Sequence, residues 1–228
     1  DDPVLRAYQQ LLGPRVEWVR LPDPAPAWLD LLGLLGDHNR RNALIAATCL
    51  AAAGVAGADD PDALGRAAAG FAGLPSRLRP IGEVDGVTFV DDSLSTNVLP
   101  TVAALAVFAD RPVALLVGGY DRHIDYEPLA EHLAGRGQPT LVLALYETGT
   151  RVAAALEGRA RPGLEVVTGD DLAAAVEAGW RWAPPGGVVL LSPAAASFGH
   201  FRDWSDRAAT FAAAMASCRA YSEETTSS

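Results

Sequence analysis

The chain has 228 residues, 50% of them hydrophobic, and sets 28 acidic side chains against 18 basic ones for a formal net charge of −10. That length can bury a sizeable core and fits two domains of unequal size, while the acidic balance disfavours nucleic acid or an anionic membrane as partner. No stretch reaches the roughly 18 uninterrupted apolar residues of a membrane span, the acidic start Asp1-Asp2-Pro3 is no secretory signal, and every basic residue is arginine, which excludes a Gly-Lys-Ser/Thr phosphate loop.

In chain order, the first block reads as a short strand at residues 16–20, a proline-rich loop and two helices. The first helix spans 39–53, opening after Gly36-Asp37-His38 and closing at Gly54; the second spans 60–72, with Asp60-Pro61 as its start signal. This block has too few strands to close a core of its own. From Gly73 onward, short runs rich in Val and Leu at 87–90, 113–117, 141–145, 166–167 and 188–191 alternate with helical patterns at 97–108, 126–133, 148–156, 171–182 and 201–216. The alternation predicts an α/β fold: a Rossmann-like, doubly wound, mainly parallel sheet with right-handed crossovers, preceded by a small helical block. Residues 221–228 are polar and unpatterned and predict a disordered tail. Cys49 and Cys218 lie far apart in helical patterns and read as buried thiols, which fits a cytoplasmic protein.

In such a sheet the ligand sits beyond the carboxyl ends of the strands. There the sequence places Asp91-Asp92-Ser93-Leu94-Ser95-Thr96-Asn97, Gly118-Gly119-Tyr120-Asp121-Arg122 and Ser192-Pro193-Ala194-Ala195-Ala196-Ser197-Phe198-Gly199-His200. Hydroxyls, helix-start N–H groups and a guanidinium on one edge suit a small dicarboxylate. Each piece also has a structural reading. Ser and Thr before a helix commonly cap it, Gly118-Gly119 can be a tight turn, and Asp91-Asp92 fits a Mg²⁺ site or, more commonly, a cap. His123, His132 and His200 lack ligand spacing and read as surface or loop histidines. The chain contains no G-x-G-x-x-G after a strand, no C-x-x-C and no G-x-S-x-G, so dehydrogenase and serine hydrolase readings lose their fingerprints.

Five segments in order carry a resemblance: Gly36-Asp37-His38-Asn39-Arg40-Arg41-Asn42, Gly73-Leu74-Pro75-Ser76-Arg77, Asp92-Ser93-Leu94-Ser95-Thr96-Asn97, Gly118-Gly119-Tyr120-Asp121-Arg122 and Leu191-Ser192-Pro193-Ala194-Ala195-Ala196-Ser197-Phe198. Together they resemble the Mur ligase family, in particular its glutamate-adding branch. The resemblance implies that 1–72 is the end of the central ATP-binding domain and 73–220 the C-terminal glutamate-binding domain, with the sugar-nucleotide domain, the phosphate loop and a carbamylated lysine outside the chain. It implies an ATP-dependent acid–amino-acid ligase of peptidoglycan synthesis, using Mg²⁺ and joining glutamate to UDP-N-acetylmuramoyl-L-alanine through an acyl phosphate. A cytoplasmic monomer is expected, inactive as this fragment alone.

Carried over by position, Asn39, Asn42, Arg77 and Asp92 resemble nucleotide-binding residues, Asn42 near the adenine, Arg77 at the phosphates and Asp92 beside the ribose. An amide both donates and accepts, as an adenine edge requires, although both asparagines equally suit fixing the helix start. Thr96, Arg122 and Ser197 resemble the groups that hold the glutamate carboxylates, with Phe198 and Trp204 lining the pocket. Members that add D-glutamate typically have lysine at Leu94 and at Arg122. Arginine keeps the charge, but Leu94 removes a cation, which favours the branch that adds L-glutamate. A non-catalytic Rossmann-like binding module and another ligase of the superfamily, such as a folylpolyglutamate synthase, remain as alternatives.

Overall fold

The computed structural model describes residues 3–12, 16–159 and 161–226. Clustering of the backbone separates two compact units, Asp1–Gly73 and Leu74–Ser228.

The first unit is helical. It comprises α1 (Pro3–Ala7), 3-10 turns at Gln9–Leu11 and Ala27–Leu32, α2 (Asp37–Ala52) and α3 (Pro61–Ala69). Asp60 caps α3 by accepting from the Asp62 N–H at 3.0 Å, and Pro61 fills the first helical position, where no N–H is needed. Residues 16–20, expected as a strand, belong to no sheet; the unit offers no strand among the described residues, and a lone strand leaves its backbone groups without a ladder. Trp18 instead packs beneath the Arg6 guanidinium, 4.0 Å from the ring centroid. Among the described residues of this unit, Leu29 and the alanines 47, 58 and 68 are the buried apolar side chains, whereas Leu31, Ile45, Leu50, Val55 and Phe71 are exposed. Cys49, expected to be buried, lies on the exposed side of α2; Cys218 is buried as expected.

The second unit is a six-stranded sheet in the order β1-β2-β6-β3-β4-β5. Its strands are β1 (Arg79–Val84), β2 (Val87–Asp91), β3 (Val113–Gly118), β4 (Thr140–Leu145), β5 (Leu164–Gly169) and β6 (Val188–Leu191). β2, β6, β3, β4 and β5 run parallel, and β1 is antiparallel to β2. β3, β4 and β6 are buried along their whole length, which is why they read as unbroken apolar runs. β1 was not foreseen, since its sequence, Arg-Pro-Ile-Gly-Glu-Val, lacks alternation. It forms because Asp85 and Gly86 take φ of 51° and 76°, the tight hairpin turn that Asp-Gly favours, and because an edge strand tolerates Pro80.

The crossovers, expected to be right-handed, put α5 (Glu127–Gly135) against both α4 (Val98–Val107) and α6 (Tyr146–Leu156), and α7 (Leu172–Trp182) against α8 (Trp204–Thr226). Phe89, Leu116, Leu143, Val176, Leu191 and Phe211 belong to the core between the sheet and α7 and α8. Truncating any of these large side chains to alanine costs about 2–5 kcal/mol. α8 starts later and ends later than the 201–216 pattern predicts, and it covers most of the expected tail. Asp203 holds its first turn by accepting from Ser205 Oγ and the Asp206 N–H. At the far end Ser222 Oγ donates to Asp85 at 2.6 Å and Tyr221 packs edge-on against Trp180, contacts that polar composition does not advertise. No helix among the described residues is long and apolar enough to cross a membrane.

Candidate functional site

β2, β6 and β3 are neighbours in the sheet, so the three polar loops that follow them leave side by side from one edge. The loops are laced together by backbone bonds. Gly118 N–H donates to the Pro193 carbonyl at 2.8 Å, Tyr120 N–H to the Ala196 carbonyl at 2.9 Å and Asp92 N–H to the Leu191 carbonyl at 2.8 Å. The packing is tight enough to require glycine. A Cβ on Gly118, whose φ is 127°, would lie 1.9 Å from the Leu145 carbonyl oxygen, and one on Gly119, with φ of 155°, would lie 2.3 Å from that of Ala196.

The acidic pair is consumed by this scaffold. Asp91 accepts from Ser76 Oγ at 2.6 Å, and from the N–H and hydroxyl of Ser93 at 3.0 and 2.6 Å. Asp92 is 2% exposed and accepts from the Leu78 N–H, Ser95 Oγ and Ser192 Oγ. Burial raises the Asp92 carboxyl above its ordinary range, against the hydrogen bonds from Ser95, Ser192 and Leu78 that favour the charged form. Asp92 therefore braces the start of the unit and the β2 and β6 loops, and its inward-facing carboxylate is not presented to a ribose. Neither acid is available to a Mg²⁺ ion, and no three His, Cys, Asp or Glu side chains among the described residues gather as a metal site.

The remaining predicted residues of this unit divide differently. Thr96 is half-buried, Arg122 is exposed and Ser197 is buried, and none of the three side chains makes a hydrogen bond or ion pair among the described residues. Their neighbours are engaged: Thr101 and Ser192 bond to one another, Thr148 Oγ1 accepts from Gly119 N–H at 2.6 Å, and Asn97 caps α4 through the Val98 N–H. Asp121 pairs with Arg151 at 2.7 Å; the His123 N–H, then Arg151, hold its carboxyl below the ordinary value. Phe198 is exposed and Trp204, the first residue of α8, is partly so. Arg77 is exposed, its side chain making no hydrogen bond among the described residues, and near enough to Asp92 to favour that carboxylate's charged form.

In the helical unit, Asn42 is exposed on α2, whereas Asn39 is buried and donates to the Leu35 carbonyl at 2.8 Å. Asn39 thus fixes the loop at the helix start, the structural alternative weighed above.

Several residues at the sheet edge were missed. Tyr146, in a left-handed conformation with φ of 61°, opens α6 and stacks on His200 with ring centroids 3.9 Å apart. His200 Nε2 lies 2.8 Å from Glu147, and this contact lowers the Glu147 carboxyl below its ordinary value. Arg207 is buried in the first turn of α8, bonded to the Ser93 and Ala195 carbonyls. Its signal was in the sequence. Arg207 shares a helical face with Phe211, Ala214 and Cys218, where only apolar side chains are expected.

Residues 76–195 match the family described as "Mur ligase, glutamate ligase domain". The "UDP-N-acetylmuramoyl-L-alanine--L-glutamate ligase" of a Micromonospora species is 44% identical over 198 residues, covering 87% of this chain and 43% of that protein. The "UDP-N-acetylmuramoylalanine--D-glutamate ligase" of Rubrobacter xylanophilus is 40% identical over 181 residues, covering 79% of this chain and 39% of its own length. The chain therefore spans less than half of these relatives. Among solved structures, MurF from Acinetobacter baumannii shares the fold, with a TM-score of 0.54 at 20% identity over 78% of this chain and 38% of its own. With a glutamate ligase domain matched over more than half its residues, on a mostly parallel α/β sheet of the expected kind, this chain belongs to the Mur ligase family.

Proposed function

We propose that this chain is the C-terminal part of an ATP-dependent ligase that joins glutamate to UDP-N-acetylmuramoyl-L-alanine in peptidoglycan synthesis, with L-glutamate as the enantiomer taken. In this reading residues 1–72 close the ATP-binding domain and 73–220 receive the amino acid. The observation that carries the proposal is the division of polar groups at the sheet edge. Thr96, Arg122 and Ser197 are left without partners on loops after adjacent strands, while the polar residues around them are bonded internally. A guanidinium can fork onto one carboxylate and hydroxyls can donate to another, so the three groups suit an amino dicarboxylic acid. Phe198 and Trp204 supply apolar walls.

Leu94 supports the L-glutamate assignment, as does the naming of the Micromonospora relative. The net charge of −10 supports leaving nucleic acid and membranes out of its partners.

For the nucleotide, exposed Asn42 and Arg77 are the groups free to touch ATP, and Asn39 and Asp92 act by bracing their loops. ATP activates the carboxylate of the sugar peptide as an acyl phosphate, and the glutamate amine displaces the phosphate. This chain's part is to bind and orient that amine, since holding reactants in place supplies several kcal/mol. The described residues do not fit a Mg²⁺ site; a chain without lysine holds no Gly-Lys-Ser/Thr phosphate loop, so by itself it is assigned no turnover.

In the full-length ligase, Arg122→Ala and Ser197→Ala are expected to raise the KM for glutamate by about 10-fold or more with little effect on that for ATP, as loss of charged and neutral hydrogen bonds predicts. Equal effects on both substrates would place the pocket elsewhere. Assays with each glutamate enantiomer separately test the stereochemistry; turnover with D-glutamate alone would overturn that half of the proposal.

A further inference from the structure

Arg207 is 1% exposed, yet it forms no ion pair among the described residues. Its Nη2 donates to the Ser93 carbonyl at 2.7 Å and its Nη1 to the Ala195 carbonyl at 3.2 Å, joining the loops after β2 and β6. A Cβ on Gly119 would lie 3.3 Å from Nη1, so the guanidinium also sits against the loop after β3. Nε is buried with no partner among the described residues. The nearby Asp91 carboxylate takes its hydrogen bonds from Ser76 and Ser93, and its charge partly offsets that of the arginine without a direct contact. Burial lowers the Arg207 pKa to about 10, which still leaves the group cationic at neutral pH.

Taking a cation out of water costs more than two carbonyl bonds restore, and an apolar side chain of similar shape would serve the fold at least as well. The position gains a rationale when an anion arrives beside the loops that Arg207 holds. Ser93 lies three residues before Thr96, and Ala195 two before Ser197.

We propose that Arg207 is a positioning residue of the glutamate pocket: it fixes the Ser93 and Ala195 backbones so that Thr96 and Ser197 present their hydroxyls at a set separation, and its charge adds to the field that draws in a carboxylate. The inference rests on the glutamate reading above.

The test compares R207K and R207M in the full-length ligase, with KM for glutamate, KM for ATP, kcat and thermal melting measured together. R207M removes charge and bridge; R207K keeps the charge but not the fork, and it carries the test if R207M does not fold. The expected result is a rise in glutamate KM of about 100-fold for R207M and about 10-fold for R207K, with ATP KM changed by less than about 2-fold. A folded R207K whose glutamate KM is unchanged, or equal rises for glutamate and ATP, would overturn the proposal. Ser197→Ala separates the two levels. If it too leaves glutamate KM unchanged, the pocket reading falls and this inference with it; if it raises glutamate KM while both Arg207 variants do not, only the role of Arg207 is lost.

Discussion

The two ends of the parallel sheet treat arginine in opposite ways. At the amino ends, Arg136 donates to the Leu105, Phe108 and Arg111 carbonyls at 2.9, 3.1 and 3.0 Å and to Thr140, capping the last turn of α4. Arg161 likewise reaches the Leu133 and Gln138 carbonyls, and Arg111 those of Gly186 and Gly187. At the carboxyl ends Arg151 pairs with Asp121, but Arg207 is only partly engaged and Arg122 not at all among the described residues. A donor that is fully bonded within the chain stabilises the fold, and a donor left over is available to a ligand. Residue type alone does not separate the two, because the same guanidinium serves both ends.

The largest test of this contrast is R136M. It leaves several buried carbonyls without donors and should cost about 3 kcal/mol in chemical denaturation, with KM for glutamate in the full-length ligase unaltered. A smaller, paired test stays within one loop. Ser192, fully buried, donates to Asp92 at 2.7 Å, so Ser192→Ala should cost about 2 kcal/mol, whereas Ser197→Ala should cost less than about 0.5 kcal/mol. Equal losses from the two serines would dissolve the distinction between bonded and available hydroxyls.

The smallest effect concerns the exposed Glu147, whose carboxyl His200 holds below its ordinary value of 4.5. A lowered folded-state pKa stabilises the protein fully above the unfolded value and ceases to do so as the pH falls through the folded one. Melting temperature followed from about pH 7 to pH 3 should therefore drop less steeply for Glu147→Gln than for the parent protein. Parallel curves would remove the His200 contact from the account.

The sequence made the parallel sheet legible because strands buried on both faces must be unbroken apolar runs, as at Val113–Gly118 and Thr140–Leu145. The polar loops were legible for the same reason, as interruptions at strand ends. β1 was hidden because an edge strand can carry Arg79, Pro80 and Glu83, although Asp85-Gly86 announced its hairpin. At the site, sequence position grouped Asp92 with Arg77 and Asn39 with Asn42, yet the members of each pair have opposite exposure. Asp92 turns inward on a partner remote in the chain, Ser192, and Asn39 on a backbone carbonyl, that of Leu35, which side-chain pattern does not record. Arg207 is marked in the sequence only as a charge on an apolar helical face; the two carbonyls it bonds are recorded by no side-chain pattern.

α8 begins beside the polar loops after β2 and β6 and runs back to the β1–β2 hairpin, where Ser222 meets Asp85. From Arg207 to Ser222 a helix advances about 22 Å. A fluorophore or affinity handle joined after Thr226 would therefore be attached at the hairpin end of α8, away from the polar loops at its start.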